Sequence, residues 1–102
     1  MRSHILVSYD VADPKRLDRV RKVVADSTER VQYSVYYGQF TEKDLVVLRE
    51  KLRDVMNAKE DQILFIRLGP VAQGSDEPDA IERRVEVLGK SWERRDISVM
   101  VF

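Results

Sequence analysis

Two carboxylates three residues apart, Asp10 and Asp13, interrupt the stretch ILVSYDVADPKR at residues 5–16, and they are the first carboxylates in the chain. Asp13 stands directly before Pro14. That pair has a structural explanation: an aspartate at a helix N-cap accepts one of the first unpaired amides, and proline suits the first helical position. Asp10 ends an apolar run and has two readings. It is a strand terminator that caps the following turn, or it is a ligand to a divalent ion. Mg2+ is usually held by one or two carboxylates together with waters and substrate phosphates. An ion so placed beside a phosphodiester activates water and neutralises charge, which is hydrolytic chemistry. One carboxylate makes a poor site, so this reading calls for a two-fold axis near Asp10 that brings in a second copy.

The other reactive residue types are assigned around Asp10. His4, the single histidine, lies six residues before it, about 20 Å away at the rise of a strand. It cannot share an ion with Asp10 along one strand and is expected to be an ordinary strand residue. Lys15, Arg16, Arg19, Lys22 and Arg30 form a set suited to gripping a phosphate backbone without reading bases. Their alternative reading is a solvated helix face. Tyr9, Tyr33, Tyr36 and Tyr37 are placed either to stack on unpaired bases or to pack a core or subunit contact. Trp92 is expected to anchor an interface. A Gly-rich phosphate loop, an HExxH pair and a nucleophile elbow are all missing. The acidic residues Asp76, Glu77 and Asp79 share a Pro-containing loop and read as solvated turn chemistry.

The elements that must position these groups follow from periodicity. SHILVSY reads as a strand and DPKRLDRVRKVVAD as a helix with Leu17, Val20 and Val24 on one stripe. RVQYSVYYGQF, rich in β-branched and aromatic residues, reads as one second strand stopped at Gly38. TEKDLVVLREKLRDVMN is a helix capped by Thr41, with Leu45, Leu48, Leu52 and Val55 at helical spacing. DQILFIRL is a third strand, GPVAQGSDEPD a loop, RRVEVLG a short fourth strand, and ISVMVF, residues 97–102, a last strand. The first four strands and two helices are taken as a β-α-β-β-α-β order, the α+β ferredoxin-like arrangement, in a single domain over residues 1–102. The helices cover one sheet face. Ile5, Val7 and Tyr9 belong under them, and Asp10 belongs on the open face with His4, Leu6 and Ser8. An extra apolar strand at 97–102 and a third strand apolar on both faces call for a cover, so a homodimer is expected, the last strand pairing with the partner.

Bulk properties exclude several classes. The 102 residues contain 18 basic and 18 acidic side chains, so any nucleic-acid binding must come from local patches. There is no cysteine, which removes disulfides and thiolate metal sites and fits a reducing cytoplasm. No apolar stretch approaches the roughly 20 residues of a membrane span, and the N-terminus meets charge too early for a signal peptide. The expected location is cytoplasmic, with no membrane partner.

The blocks ILVSYDVADPKRLDRV, RVQYSVYYGQF and EDQILFIRLG resemble the CRISPR-associated Cas-two family. The likeness runs over nearly the whole chain, from Ile5 through the terminal strand. The resemblance implies a small ferredoxin-like homodimer of the prokaryotic adaptation machinery. It implies an endonuclease acting on RNA or DNA phosphodiesters with Mg2+ or another divalent cation. Asp10 is then the catalytic and metal-binding residue, one from each subunit. Tyr9, Arg19, Arg30 and Tyr36 match positions linked with substrate handling or site architecture. It also implies a central dimer in complex with the Cas-one integrase on double-stranded DNA, a role that does not require cleavage. The chain departs from the family pattern at Ser27 and Thr28, where relatives often carry glycine, and at Tyr36, which replaces the more usual phenylalanine. Three functions follow as expectations: a metal-dependent endonuclease, a non-catalytic scaffold for DNA and the integrase, or a ferredoxin-like ligand-binding module.

Overall fold

The computed structural model describes residues 1–71, 81 and 84–90. Six elements follow one another: β1 (Ser3–Asp10), α1 (Pro14–Ala25), β2 (Glu29–Gln32), β3 (Val35–Phe40), α2 (Glu42–Val55) and β4 (Gln62–Pro70). The strands form one sheet in the order β2-β3-β1-β4, and every pairing is antiparallel. This is the expected α+β, ferredoxin-like fold.

Both helices begin where the sequence places them. The Asp13 side chain accepts the Arg16 amide at 2.9 Å, with Pro14 in the first turn of α1. Thr41 and Asp44 exchange hydrogen bonds at the start of α2, the Asp44 amide donating to Thr41 Oγ1 and the Thr41 amide to the Asp44 carboxylate. Such a reciprocal box satisfies two amides that would otherwise face water unpaired. The apolar stripes of both helices close on one sheet face. Val20 and Val24 of α1, with Leu45, Leu48 and Leu52 of α2, join Ile5, Val7, Tyr9, Tyr36 and Phe40 in a single core. Alternation along β1 therefore turns Leu6, Ser8 and Asp10 to the opposite face, as expected.

Three expectations are corrected. The run at 30–40 is a hairpin rather than one strand: β2 and β3 meet at a turn over Tyr33 and Ser34, with a register shift between Arg30 and Gln32. This hairpin supplies the second and third strands of β-α-β-β-α-β, and Gln62–Pro70 is the fourth, the number expected of RRVEVLG. Arg84–Gly89 instead form turns and irregular chain. They are tied to the sheet by Arg84, which donates to the Leu68 carbonyl at 2.7 Å. Gly38 does not stop its strand. It pairs with Ile5 and lets the Phe40 ring lie over it. Trp92 and the strand expected at 97–102 lie outside the described residues.

Candidate active site

Asp10 is the last residue of β1 and sits opposite Gln62, the first residue of β4. It is exposed, and among the described residues nothing donates to its carboxylate. Its neighbours in sequence are engaged: Asp13 caps α1, and the Ala12 amide donates to Asp61 at 3.1 Å. An unpartnered hard-oxygen donor at a strand end fits an ion that keeps most of its waters and takes few protein ligands. Among the described residues no cluster of three or more His, Cys, Asp or Glu could cage a metal. Among the described residues Asp10 is the carboxylate left unbonded at this end of β1, beside the engaged Asp13 and Asp61.

Asp61 was read as the first residue of a strand and proves to be the most heavily bonded carboxylate nearby. Its side chain is fully buried. It accepts the Ala12 amide, the Asn57 amide at 2.8 Å, and both Nε (2.9 Å) and a terminal nitrogen (3.2 Å) of Arg16. The Arg16 fork beside it, aided by the backbone amides, holds the Asp61 carboxyl at about 2. Arg16 is shifted the other way, above its ordinary value, chiefly by the same bond. Glu60 takes a second contact from Arg16 at 2.8 Å. Arg16 was expected to face substrate, and its guanidinium is instead occupied by these two acids. Arg19 and Lys15 are exposed, with no side-chain partner among the described residues.

The tyrosines divide by burial. Tyr9 and Tyr36 are 5% and 4% exposed and stack on each other beneath α1 with ring centres 5.8 Å apart. Burial, followed by the bond to Tyr36, pushes the Tyr9 hydroxyl well above its ordinary value. Both rings belong to the buried core, where they are not open to stacking on bases. Tyr37 is buried on the other face, where its hydroxyl lies 2.6 Å from His4 Nδ1 and accepts from Gln39. His4 is thus a strand residue without a place beside Asp10, as expected, and it is fully buried, which the open-face reading did not anticipate. Tyr33 alone of the four is open, at 73% exposure.

Tyr33 and Arg30 flank a cavity of about 310 Å³ at the mouth of the β2–β3 hairpin, with Tyr9, Leu17, Asp18 and Arg21 in its walls. The Arg30 guanidinium lies 5.4 Å from the centre of the Tyr33 ring. Arg21 reaches Asp18 at 2.7 Å. Cations beside an exposed ring make a surface suited to a phosphate and an unpaired base. Arg21 was not singled out from the sequence because it follows Arg19 in a uniformly charged run. Only the fold shows which arginine turns toward the hairpin.

Comparison with known proteins agrees with this architecture. Residues 2–74 match the family described as CRISPR associated protein Cas2. The chain is 28% identical over 96 residues to CRISPR-associated endoribonuclease Cas2 1 of Rhodospirillum rubrum, covering 94% of this chain and 87% of that one. It is 33% identical over 90 residues to CRISPR-associated endoribonuclease Cas2 of Chlorobaculum tepidum, covering 83% and 94%. The crystal structure of Streptococcus pyogenes Cas2 superposes with a TM-score of 0.64 at 34% identity, covering 84% of this chain and 99% of that one. The match spans β1, the hairpin and β4, the elements that carry Asp10 and its surroundings, and it places this chain in the CRISPR associated protein Cas2 family.

Proposed function

We propose that this protein is a CRISPR adaptation nuclease that cleaves RNA or DNA phosphodiesters as a homodimer, with Asp10 of each subunit at the centre. The observation that carries the reading is the exposed Asp10 carboxylate at the end of β1, unbonded among the described residues while Asp13 and Asp61 are both consumed by structure. Its setting on the open sheet face leaves room for a second copy to approach. Relatives named as endoribonucleases support the reaction class.

Within this reading the chain's own residues have separate tasks. Asp10 supplies the anionic oxygens that hold Mg2+. When bound, the ion supplies Lewis acidity and charge neutralisation at the phosphodiester. Arg19 and Arg30 attract and seat the phosphate backbone. Tyr33 offers a face to an unpaired base, while Tyr9 and Tyr36 keep the wall beneath it rigid. The test is Mg2+-dependent cleavage of RNA and of duplex DNA by wild type beside Asp10→Ala. Loss of cleavage in a folded, dimeric Asp10→Ala protein is the expected result. Cleavage at the wild-type rate by that variant would remove Asp10 from the mechanism.

A second reading rests on Lys15 and Arg19, exposed cations without partners among the described residues, which suit a duplex backbone. There the dimer is a scaffold that holds DNA for the Cas-one integrase. The same Asp10→Ala protein separates the two, because a scaffold retains spacer capture after losing the carboxylate.

A further inference from the structure

The β1–α1 turn is held at two points. Asp13 fixes its far end by capping α1. Its middle is fixed from another part of the chain: Asp61, between α2 and β4, accepts the amide of Ala12, two residues beyond Asp10. The same carboxylate takes the Asn57 amide and two nitrogens of Arg16. Arg16 lies in the first turn of α1, so the contact joins the helix start, the turn and the start of β4 around one buried carboxylate. Gln62, the next residue, is the strand partner of Asp10. Asp10 is therefore bracketed by backbone that one carboxylate organises, while its own side chain is bonded to nothing among the described residues.

We propose that Asp61 and Arg16 are positioning residues for Asp10. They fix the turn so that the Asp10 carboxylate faces the ion and substrate without a direct contact of its own. The proposal rests on the reading of Asp10 as the metal-binding carboxylate. It takes Arg16 out of the phosphate-gripping set and leaves Arg19 there. A metal ligand needs a fixed direction, and loss of the groups that orient it typically costs ten- to a hundred-fold in metal affinity or activity, at roughly that order.

The experiment compares wild type, Asp61→Asn, Arg16→Ala, Arg16→Lys and Asp10→Ala as full-length protein. Mn2+ binding is read by paramagnetic resonance, cleavage by kcat and KM, and RNA affinity in EDTA as a function of salt. Asp61→Asn should weaken Mn2+ binding and lower kcat by about ten-fold or more, with KM and RNA affinity in EDTA essentially unchanged. Arg16→Ala should do the same without altering the salt dependence of RNA binding, and Arg16→Lys should restore part of the loss. Wild-type Mn2+ affinity and kcat in folded Asp61→Asn would overturn the assignment. So would a salt slope lowered by about 0.7 in Arg16→Ala, the mark of a lost contact to single-stranded phosphate.

Should wild type fail to cut, or Asp10→Ala cut normally, the reading of Asp10 falls while the clamp is still decided. Amide hydrogen exchange at Ala12 must rise in Asp61→Asn and in Arg16→Ala, with Val7 and Tyr36 unchanged. Unaltered protection at Ala12 in both would overturn the clamp by itself.

Discussion

Asp61 shows how much one buried carboxylate can organise when every oxygen lone pair is used. Its folded value of about 2 lies below the ordinary 3.8 because Arg16 and two backbone amides favour the ionised form. The sign follows from linkage. A depressed value means that the folded state holds the charged form more tightly, so the stabilisation is present above the ordinary value and is lost as pH falls from 3.8 to about 2. Wild type should melt above Asp61→Asn at neutral pH, and the gap should narrow through that acidic window. Paired melting curves at neutral pH and at the two ends of the window check this. A gap that stays constant to the acid end would mean that shape, and not charge, is what Asp61 contributes. Nothing in the sequence marked this residue, since an aspartate just ahead of a strand-forming run reads as a strand edge. Asp10 and Asp13 were separable because Pro14 gives Asp13 a local role. Asp61 acts across 45 residues to Arg16 and 49 to Ala12, and such long-range pairs leave no local pattern.

Among the elements, the helices were legible and the hairpin was not. A capping residue followed by an apolar stripe is a local signal, and α1 and α2 both carry it. The turn between β2 and β3 uses Tyr33 and Ser34 instead of the Asn-Gly or Gly-containing pairs that announce a tight hairpin. An unbroken run of strand formers around it hid the reversal. Gly38 misled in the opposite direction, looking like a stop inside what is continuous β3. Its purpose is spatial. A Cβ built there would lie 2.5 Å from Phe40 Cε2, 2.9 Å from Cζ and 3.0 Å from Thr28 Cγ2. Phe40 is 4% exposed and belongs to the core, so its ring has little freedom to withdraw. Gly38→Ala should therefore destabilise the fold by about 1–3 kcal/mol, the usual cost of overpacking. Denaturant unfolding measures it directly. An unchanged or raised midpoint would show that the ring moves aside at no cost.

At the scale of the whole molecule, the two sheet faces are unequal. The helix face is closed, with Ile5 and Val7 fully buried. On the other face, Leu64 and Ile66 of β4 remain 46% and 42% exposed, and Leu6 between β3 and β4 is only partly covered. Apolar side chains on the face that also bears Asp10 are suited to a second copy of the chain, and a dyad there would bring two Asp10 carboxylates toward one ion. Oligomeric state and metal affinity should then fall together. Wild type should sediment as a dimer, and Leu64→Lys with Ile66→Lys should sediment as a folded monomer, because neither side chain belongs to the buried core. The monomer should also lose most of its Mn2+ affinity although Asp10 is untouched, since a single exposed carboxylate is a weak ligand on its own. Sedimentation and Mn2+ titration on one preparation check both halves. A double variant that stays dimeric would move the dyad off this face, and a monomer that binds Mn2+ as tightly as wild type would mean that the second carboxylate plays no part in holding the ion.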